Sequence, residues 1–290
     1  MKKLTFWGTR GSCPVSGPEY QYFGGNTSCL EIRYENTHII IDAGTGIRPL
    51  GEALVKQKKG PIHLFLSHTH WDHLIGFPFF KPLDEPDREI TIWSPVGLWR
   101  STKELFNQLL APEFFPVRLS QIKAMVTFRS IEEKTPLQMG PITLDFHKTR
   151  HNGITFCFKI KTAHQTIGYV TDNEIFHGYQ GVLDQIPQSI LELDQSLIDF
   201  LSECDLLIHE AQYITKEYGG KIDWGHASLS NTIALIKITK IKHWIVSHHD
   251  PKHTDEDLKK LEKSASELLD KYKIDCKVQW IGDGFELSLK

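Results

Sequence analysis

The sequence has few cysteines, no long apolar run and no excess of charge of either sign, and each lack removes a class of protein. Cys13, Cys29, Cys157, Cys204 and Cys276 are odd in number, widely spaced and form no C-x-x-C pair. A disulfide framework and a cysteine zinc site are both disfavoured, and reduced, mostly buried thiols are expected. No apolar stretch approaches the roughly 20 residues that a membrane helix needs, so no membrane partner is expected. Residues 1–13 hold two lysines and only the short apolar group Leu4, Phe6 and Trp7. That is too little for a secretory signal, and a cytoplasmic location is expected. With 33 Lys and Arg against 36 Asp and Glu the formal charge is −3, which argues against a broad nucleic-acid surface. The local cluster Lys56-Gln57-Lys58-Lys59 reads as a solvated turn. No low-complexity linker divides the 290 residues, and one large domain over 1–290 is expected. What the chain has in plenty is histidine, 15 in all.

Short runs rich in Ile, Leu and aromatics at 4–7, 29–34, 38–41 and 62–66, separated by Gly, Asn and Pro, predict strands of one sheet. Two of them end in polar loops, Asp42-Ala43-Gly44-Thr45-Gly46 and Ser67-His68-Thr69-His70-Trp71-Asp72-His73. Loops at strand ends are where α/β proteins build their sites. A helix is predicted over 101–110, followed by Phe114-Phe115-Pro116-Val117 as a packed loop. A second strand set follows at 142–146, 155–160 and 166–171, then a helix at 194–203, a strand at 206–209, a helix at 228–238 and a strand at 244–247. An amphipathic helix with Thr254 as N-cap places Leu258, Leu261, Ala265, Leu268 and Tyr272 on one face. Strands at 277–281 and 285–289 close the chain. Two strand sets, each followed by helices, predict an α/β protein in which two sheets pack face to face with helices outside. No short-period repeat is evident. Trp99 and Phe106 serve either an interface or the core.

The strongest signal is His68-x-His70-x-Asp72-His73, four ligand-type side chains within six residues at a strand end. Imidazole nitrogen and carboxylate oxygen suit zinc and its first-row neighbours. Asp72 and His73 are adjacent and cannot easily serve the same ion as His68 and His70, which points to two metals. A structural zinc site more typically uses cysteines, whereas a His and Asp set leaves a position for water.

This motif resembles the hallmark loop of the metallo-β-lactamase superfamily, and the resemblance runs in order along nearly the whole chain. It implies a four-layer αββα sandwich with two mixed β-sheets. It also implies that His68, His70 and His151 hold one divalent ion, that Asp72, His73 and His248 hold a second, and that Asp172 bridges them. Zinc is the expected metal, with manganese or iron as alternatives. His147 competes with His151, although the Gly-containing loop before strand 155–160 favours His151. His249 competes with His248, which directly follows strand 244–247. Asp172 reads alternatively as a turn residue in Thr171-Asp172-Asn173. Asp42 reads as a turn carboxylate or, by resemblance, as the aspartate that orients the ligand loop from behind.

Ile208-His209-Glu210-Ala211 and Gly225-His226-Ala227-Ser228 resemble elements of the phosphodiesterase branch, which includes the tRNA 3′ endonuclease RNase Z and the phosphoribosyl cyclic phosphodiesterases. A histidine held by a carboxylate can bind a phosphoryl oxygen and protonate a leaving alkoxide. The alternative makes Glu210 and His226 unrelated turn and cap residues, and His209 a core histidine. Gly8-Thr9-Arg10-Gly11-Ser12 and Phe23-Gly24-Gly25-Asn26-Thr27-Ser28 also resemble this branch and nominate Ser12 and Asn26 for substrate binding, or else they are tight turns. Long bacterial RNase Z enzymes carry a tRNA-gripping arm between the equivalents of His151 and Asp172. Here that interval is 21 residues, too short for an arm, so the expected substrate is a small or cyclic phosphodiester rather than tRNA. The expected reaction is attack by a hydroxide held between the metals, with Asp72 orienting it and His226, held by Glu210, as acid. The rivals are the RNase Z activity, a thioester, lactone or other carbon-ester hydrolase, and a silent metal-bound scaffold. Homodimers are common in the branch.

Overall fold

The computed structural model describes residues 2–97 and 100–290. Among the described residues fourteen strands form two seven-stranded sheets. The first holds β1 (Lys2–Gly8), β2 (Cys29–Tyr34), β3 (Thr37–Ile41), β4 (Ile62–Phe65), β5 (Glu89–Pro95) and β6 (Met125–Ile131). The second holds β7 (Leu137–Met139), β8 (Ile142–Lys148), β9 (Phe156–Lys161), β10 (Thr166–Val170), β11 (Leu206–His209), β12 (His243–Val246) and β13 (Lys277–Trp280). The last strand, β14 (Glu286–Ser288), returns to the edge of the first sheet beside β1. The strand orders are β14-β1-β2-β3-β4-β5-β6 and β7-β8-β9-β10-β11-β12-β13. Each sheet runs through three antiparallel pairings and then three parallel ones. The two halves therefore share one plan that no short-period repeat in the sequence announces.

Period-2 alternation builds the layers. Ile39 and Ile41 face the second sheet, while Ile40 points outward with Ile62 and Leu64. Between the sheets Phe65, Phe146, Phe158 and Tyr169 pack with Ile208 and Ile245. Outside the first sheet lie α1 (Ile47–Leu54) and α2 (Thr102–Leu109); outside the second lie α3 (Gln188–Leu201), α5 (Leu229–Thr239) and α6 (Asp255–Lys271). The short helix α4 (Thr215–Tyr218) follows β11. This is the expected four-layer αββα sandwich.

Several details depart from expectation. Helix α1, not among the expected helices, contains Pro49 and Gly51. The proline lies in the first turn, where an N–H has no helical partner to lose. Helix α3 begins at Gln188, six residues before the predicted start, behind Pro187 and without a side-chain cap to mark it. On α6 the Thr254 capping box forms and Leu268 and Tyr272 pack half-buried on the expected face, while Leu269 is more deeply buried than either, because eleven residues from Leu258 is close to three turns of 3.6. Phe106 is a core residue stacked edge-on to Phe77 at 4.3 Å, and Trp99 lies outside the described residues. Phe115 packs while Phe114 is 76% exposed.

Candidate active site

Parallel strands end together at the same edge of their sheets, and here the two edges meet over one cluster. Asp42 follows β3, Ser67 to His73 follow β4, Asp172 follows β10, Glu210 follows β11 and His248 follows β12, while His151 sits in the turn between β8 and β9. Asp42 and His248 both adopt positive φ, 66° and 61°, a conformation that non-glycine residues hold only when their surroundings enforce it.

Two ligand groups share one carboxylate. His68, His70, His151 and Asp172 form the first; Asp72, His73, Asp172 and His248 form the second. Asp172 Oδ2 lies 3.7 Å from His68 Nε2, 3.5 Å from His151 Nε2 and 3.3 Å from His248 Nε2. Its Oδ1 lies 3.3 Å from His73 Nε2. Asp72 Oδ2 stands 3.2 Å from His73 Nε2 and 3.8 Å from His248 Nε2. His70 Nδ1 is 2.9 Å from His151 Nε2, so both nitrogens face one point. Burial alone would raise both carboxyl pKa values, but the surrounding imidazoles outweigh it and hold Asp72 and Asp172 below the ordinary range.

The donor set fits metal ions. His68 Nε2, His73 Nε2, His248 Nε2 and Asp172 Oδ1 are buried without a hydrogen-bond partner, a loss that a bound cation removes. The opposite ring nitrogens are held. His73 Nδ1 donates to Asp42 at 2.8 Å, and His68 Nδ1 meets the Ser67 hydroxyl at 3.1 Å. His248 Nδ1 meets the Ser28 hydroxyl at 3.1 Å, and His151 Nδ1 donates to the Gly225 carbonyl at 2.9 Å. Ser67 donates its own amide and hydroxyl to Asp42 at 2.7 and 2.8 Å. Fixing Nδ1 in this way leaves Nε2 as the coordinating atom. The arrangement fits a binuclear site in which the first group lies nearer solvent, since His70 is exposed whereas all members of the second are buried.

The competitors stand elsewhere. His147 bonds the Lys148 carbonyl and Ser196, and His249 bonds the Ile281 carbonyl. His209 is a core histidine that contacts Asn173 at 3.2 Å, and burial pushes it down to about 4.

Glu210 and His226 come together as the sequence suggests. Glu210 Oε1 lies 3.0 Å from His226 Nδ1. The His226 ring lies 5.1 Å from that of His151 and stacks 5.4 Å from that of His248, so it touches a ligand of each group. Burial raises Glu210 above the carboxylate range and lowers His226. Whether their shared proton rests on Glu210 or on Nδ1, the ring's Nε2 is left free to carry an N–H toward a bound substrate.

Ser12 reaches the cluster through its backbone, whose amide donates to Asp72 Oδ2 at 2.8 Å. Neighbouring Gly11 has to be glycine, because a Cβ there would lie 2.7 Å from His248 Nε2. The structure does not bring Asn26 to the metal ligands. Its amide and side chain both donate to Asp283, which also takes the Thr9 amide. The anion that these glycine-rich turns cradle is thus the chain's own carboxylate. Sequence reasoning missed Ser28 and Ser67, whose only signal is their place at strand ends, and the Gly225 carbonyl, which carries no signal at all.

A family model for the β-lactamase superfamily domain matches residues 37–249. Ribonuclease Z of Haloarcula marismortui is 26% identical over 179 residues, which is 59% of this chain and 48% of that protein, so the match spans about half of that relative's length. Ribonuclease Z of Nanoarchaeum equitans is 21% identical over 268 residues, 85% of this chain and 83% of that one. Among solved structures, the metallo-β-lactamase fold protein YhfI from Bacillus subtilis has a TM-score of 0.70 at 19% identity, covering 99% of this chain and 100% of its own. That likeness shows the fold.

Proposed function

The chain belongs to the β-lactamase superfamily, and we propose that within it this protein is a binuclear metal-dependent phosphodiesterase acting on a small or cyclic phosphodiester. The observation that carries the reading is the Glu210–His226 pair, placed against ligands of both metal groups. Thioester cleavage, which expels a good thiolate leaving group, has no need of such an acid, whereas expulsion of an alkoxide from phosphorus does.

His68, His70 and His151 would hold one ion and Asp72, His73 and His248 the other, with Asp172 between them. When bound, such a pair polarises a phosphoryl oxygen and brings a water's pKa to about 7. Asp72, fixed by the Ser12 amide, orients the attacking group, and Asp42 and Ser67 keep the ligand loop rigid. His226 donates its Nε2 proton to the departing oxygen while the proton it shares with Glu210 settles on Nδ1, which leaves a neutral ring and the Glu210 carboxylate.

A small substrate suits the surroundings. The 21 residues from His151 to Asp172 are spent on β9, β10 and a tight turn. Lys56, Lys58 and Lys59 precede β4, at the opposite end of that strand from the ligand loop, so they do not extend a basic track from the site. Beside the loop lies a cavity of about 460 Å³ lined by Thr69, Trp71, Leu74, Leu105, Leu109 and Phe114, enough for one organic substituent. The RNase Z relatives favour a second reading, cleavage of a tRNA precursor. Turnover of 2′,3′- and 3′,5′-cyclic nucleotides, measured beside a tRNA precursor with the zinc or manganese protein, separates them. Cleavage of the cyclic nucleotides supports the proposal; cleavage of the precursor alone overturns it.

A further inference from the structure

The strand end that supplies Asp172 continues into Asn173 and Glu174. Asn173 ties neighbouring parts of the site together: its amide donates to Glu210 Oε1 at 3.0 Å, and its side-chain oxygen accepts from the Arg150 amide at 3.2 Å. Glu174 has no part in the chemistry above, yet it is 1% exposed. Its own amide donates to the Arg150 carbonyl at 2.8 Å, next to His151. Its carboxylate accepts three hydrogen bonds. Oε1 takes the Tyr218 hydroxyl at 2.8 Å and the Asp223 amide at 3.1 Å, and Oε2 takes the Gly225 amide at 3.0 Å. The nearest basic group, His177 Nε2, is 4.0 Å away. A carboxylate buried among neutral donors is costly to place, so stability alone is a poor reason for it.

All three donors belong to one segment, the stretch from the end of α4 to His226. The segment is irregular and has no ladder of its own to fix it, and Gly225 sits at φ 81°. A Cβ on Gly225 would come within 2.1 Å of His151 Nδ1. The N–H of Gly225 is therefore held by Glu174 while its carbonyl receives His151. The next residue is His226. The geometry points to Glu174 as a positioning residue: by holding the N–H of Gly225 and the two donors before it, it sets the place of His226 over the two ligand groups.

This inference rests on the reading of His226 as the acid. The test is hydrolysis of diesters whose leaving groups run from p-nitrophenol to a simple alcohol, by the metal-loaded wild type, Glu174→Gln, His226→Ala and the double variant, with bound metal measured in each. Glutamine keeps the volume but puts an NH2 against an N–H or O–H donor. Glu174→Gln is expected to slow esters of poor leaving groups by roughly 10–100-fold and p-nitrophenyl esters by less than about threefold, with no added selective loss in the His226→Ala background. Tyr218→Phe, which removes one donor of three, is expected to shift the same ratio less, and it serves if Glu174→Gln does not fold. Equal slowing of every ester by Glu174→Gln, with His226→Ala still selective, overturns the inference alone; so does slowing that follows loss of metal. Equal slowing by His226→Ala overturns the acid reading and this inference with it.

Discussion

Asp42 Oδ2 accepts the Nδ1 proton of His73 at 2.8 Å, although neither residue is exposed at all. The same carboxylate takes the Ser67 amide and hydroxyl, and Ser67 in turn meets His68. One buried side chain behind the ligand loop thus aims a ligand of each metal group. Asp42→Ala is expected to weaken metal binding by roughly 10–100-fold, the size found when such supporting partners are removed. Metal content after dialysis against a graded chelator series checks it, and wild-type retention contradicts it.

Asp172 lies within 3.3–3.7 Å of four imidazoles and belongs to both ligand groups. Asp172→Ala should therefore lose metal from both positions, not one. Elemental analysis of the purified variant decides this, since two ions per chain would remove the bridging role.

His226 as general acid matters in proportion to the basicity of the departing oxygen. General acid catalysis contributes typically about 10²–10⁴-fold, so His226→Ala should cost that much with alkyl esters and little with p-nitrophenyl esters. Rates for both classes with the same variant give the answer.

Acid lability should come in two windows. Burial pushes His209 down to about 4 from an ordinary 6.5, so the stability it supports is present above pH 6.5 and is lost as pH falls toward 4. Glu31 is a different case. Burial alone would raise it, but His38, Trp7 and Arg33 outweigh that and hold it at about 2 instead of 4.5. Its contribution is present above pH 4.5 and is lost as pH falls toward 2. A displacement of this size is worth on the order of 3 kcal/mol. Denaturant titrations at stepped pH should show Glu31→Gln less stable than wild type at pH 6, the gap closing only below about pH 4.5; a gap independent of pH would contradict it.

Much of this site could be read from the chain because its ligands are chemically rare and lie beside strands with strong apolar patterns. His68 to His73, Asp172 and His248 each follow such a strand directly. The supports were harder to read. Ser28, Ser67 and Gly225 are common residues whose role depends on what the fold brings near, and the tight turn at Asn26, which the sequence leaves open beside an anion site, is explained only by Asp283 far along the chain. Strands β5, β6 and β7 are not among the expected ones: β5 carries only the short alternation of Ile90 and Ile92 between half-exposed neighbours, and β6 and β7 are edge strands with mostly exposed or half-buried side chains. The repeated strand-then-helix order is legible, but the shared pairing order and direction of the two sheets are not, since strand pairing conserves direction and order without any need for residue identity.

Everything proposed for this site depends on the clustered ligands holding metal for phosphodiester cleavage. Its most direct test is hydrolysis of bis(p-nitrophenyl) phosphate by protein reconstituted with zinc or manganese, beside a chelated control and a carbon thioester. The expected result is release of p-nitrophenolate that chelation abolishes and added metal restores. Fully metallated protein that leaves the phosphodiester intact while hydrolysing the thioester would contradict it.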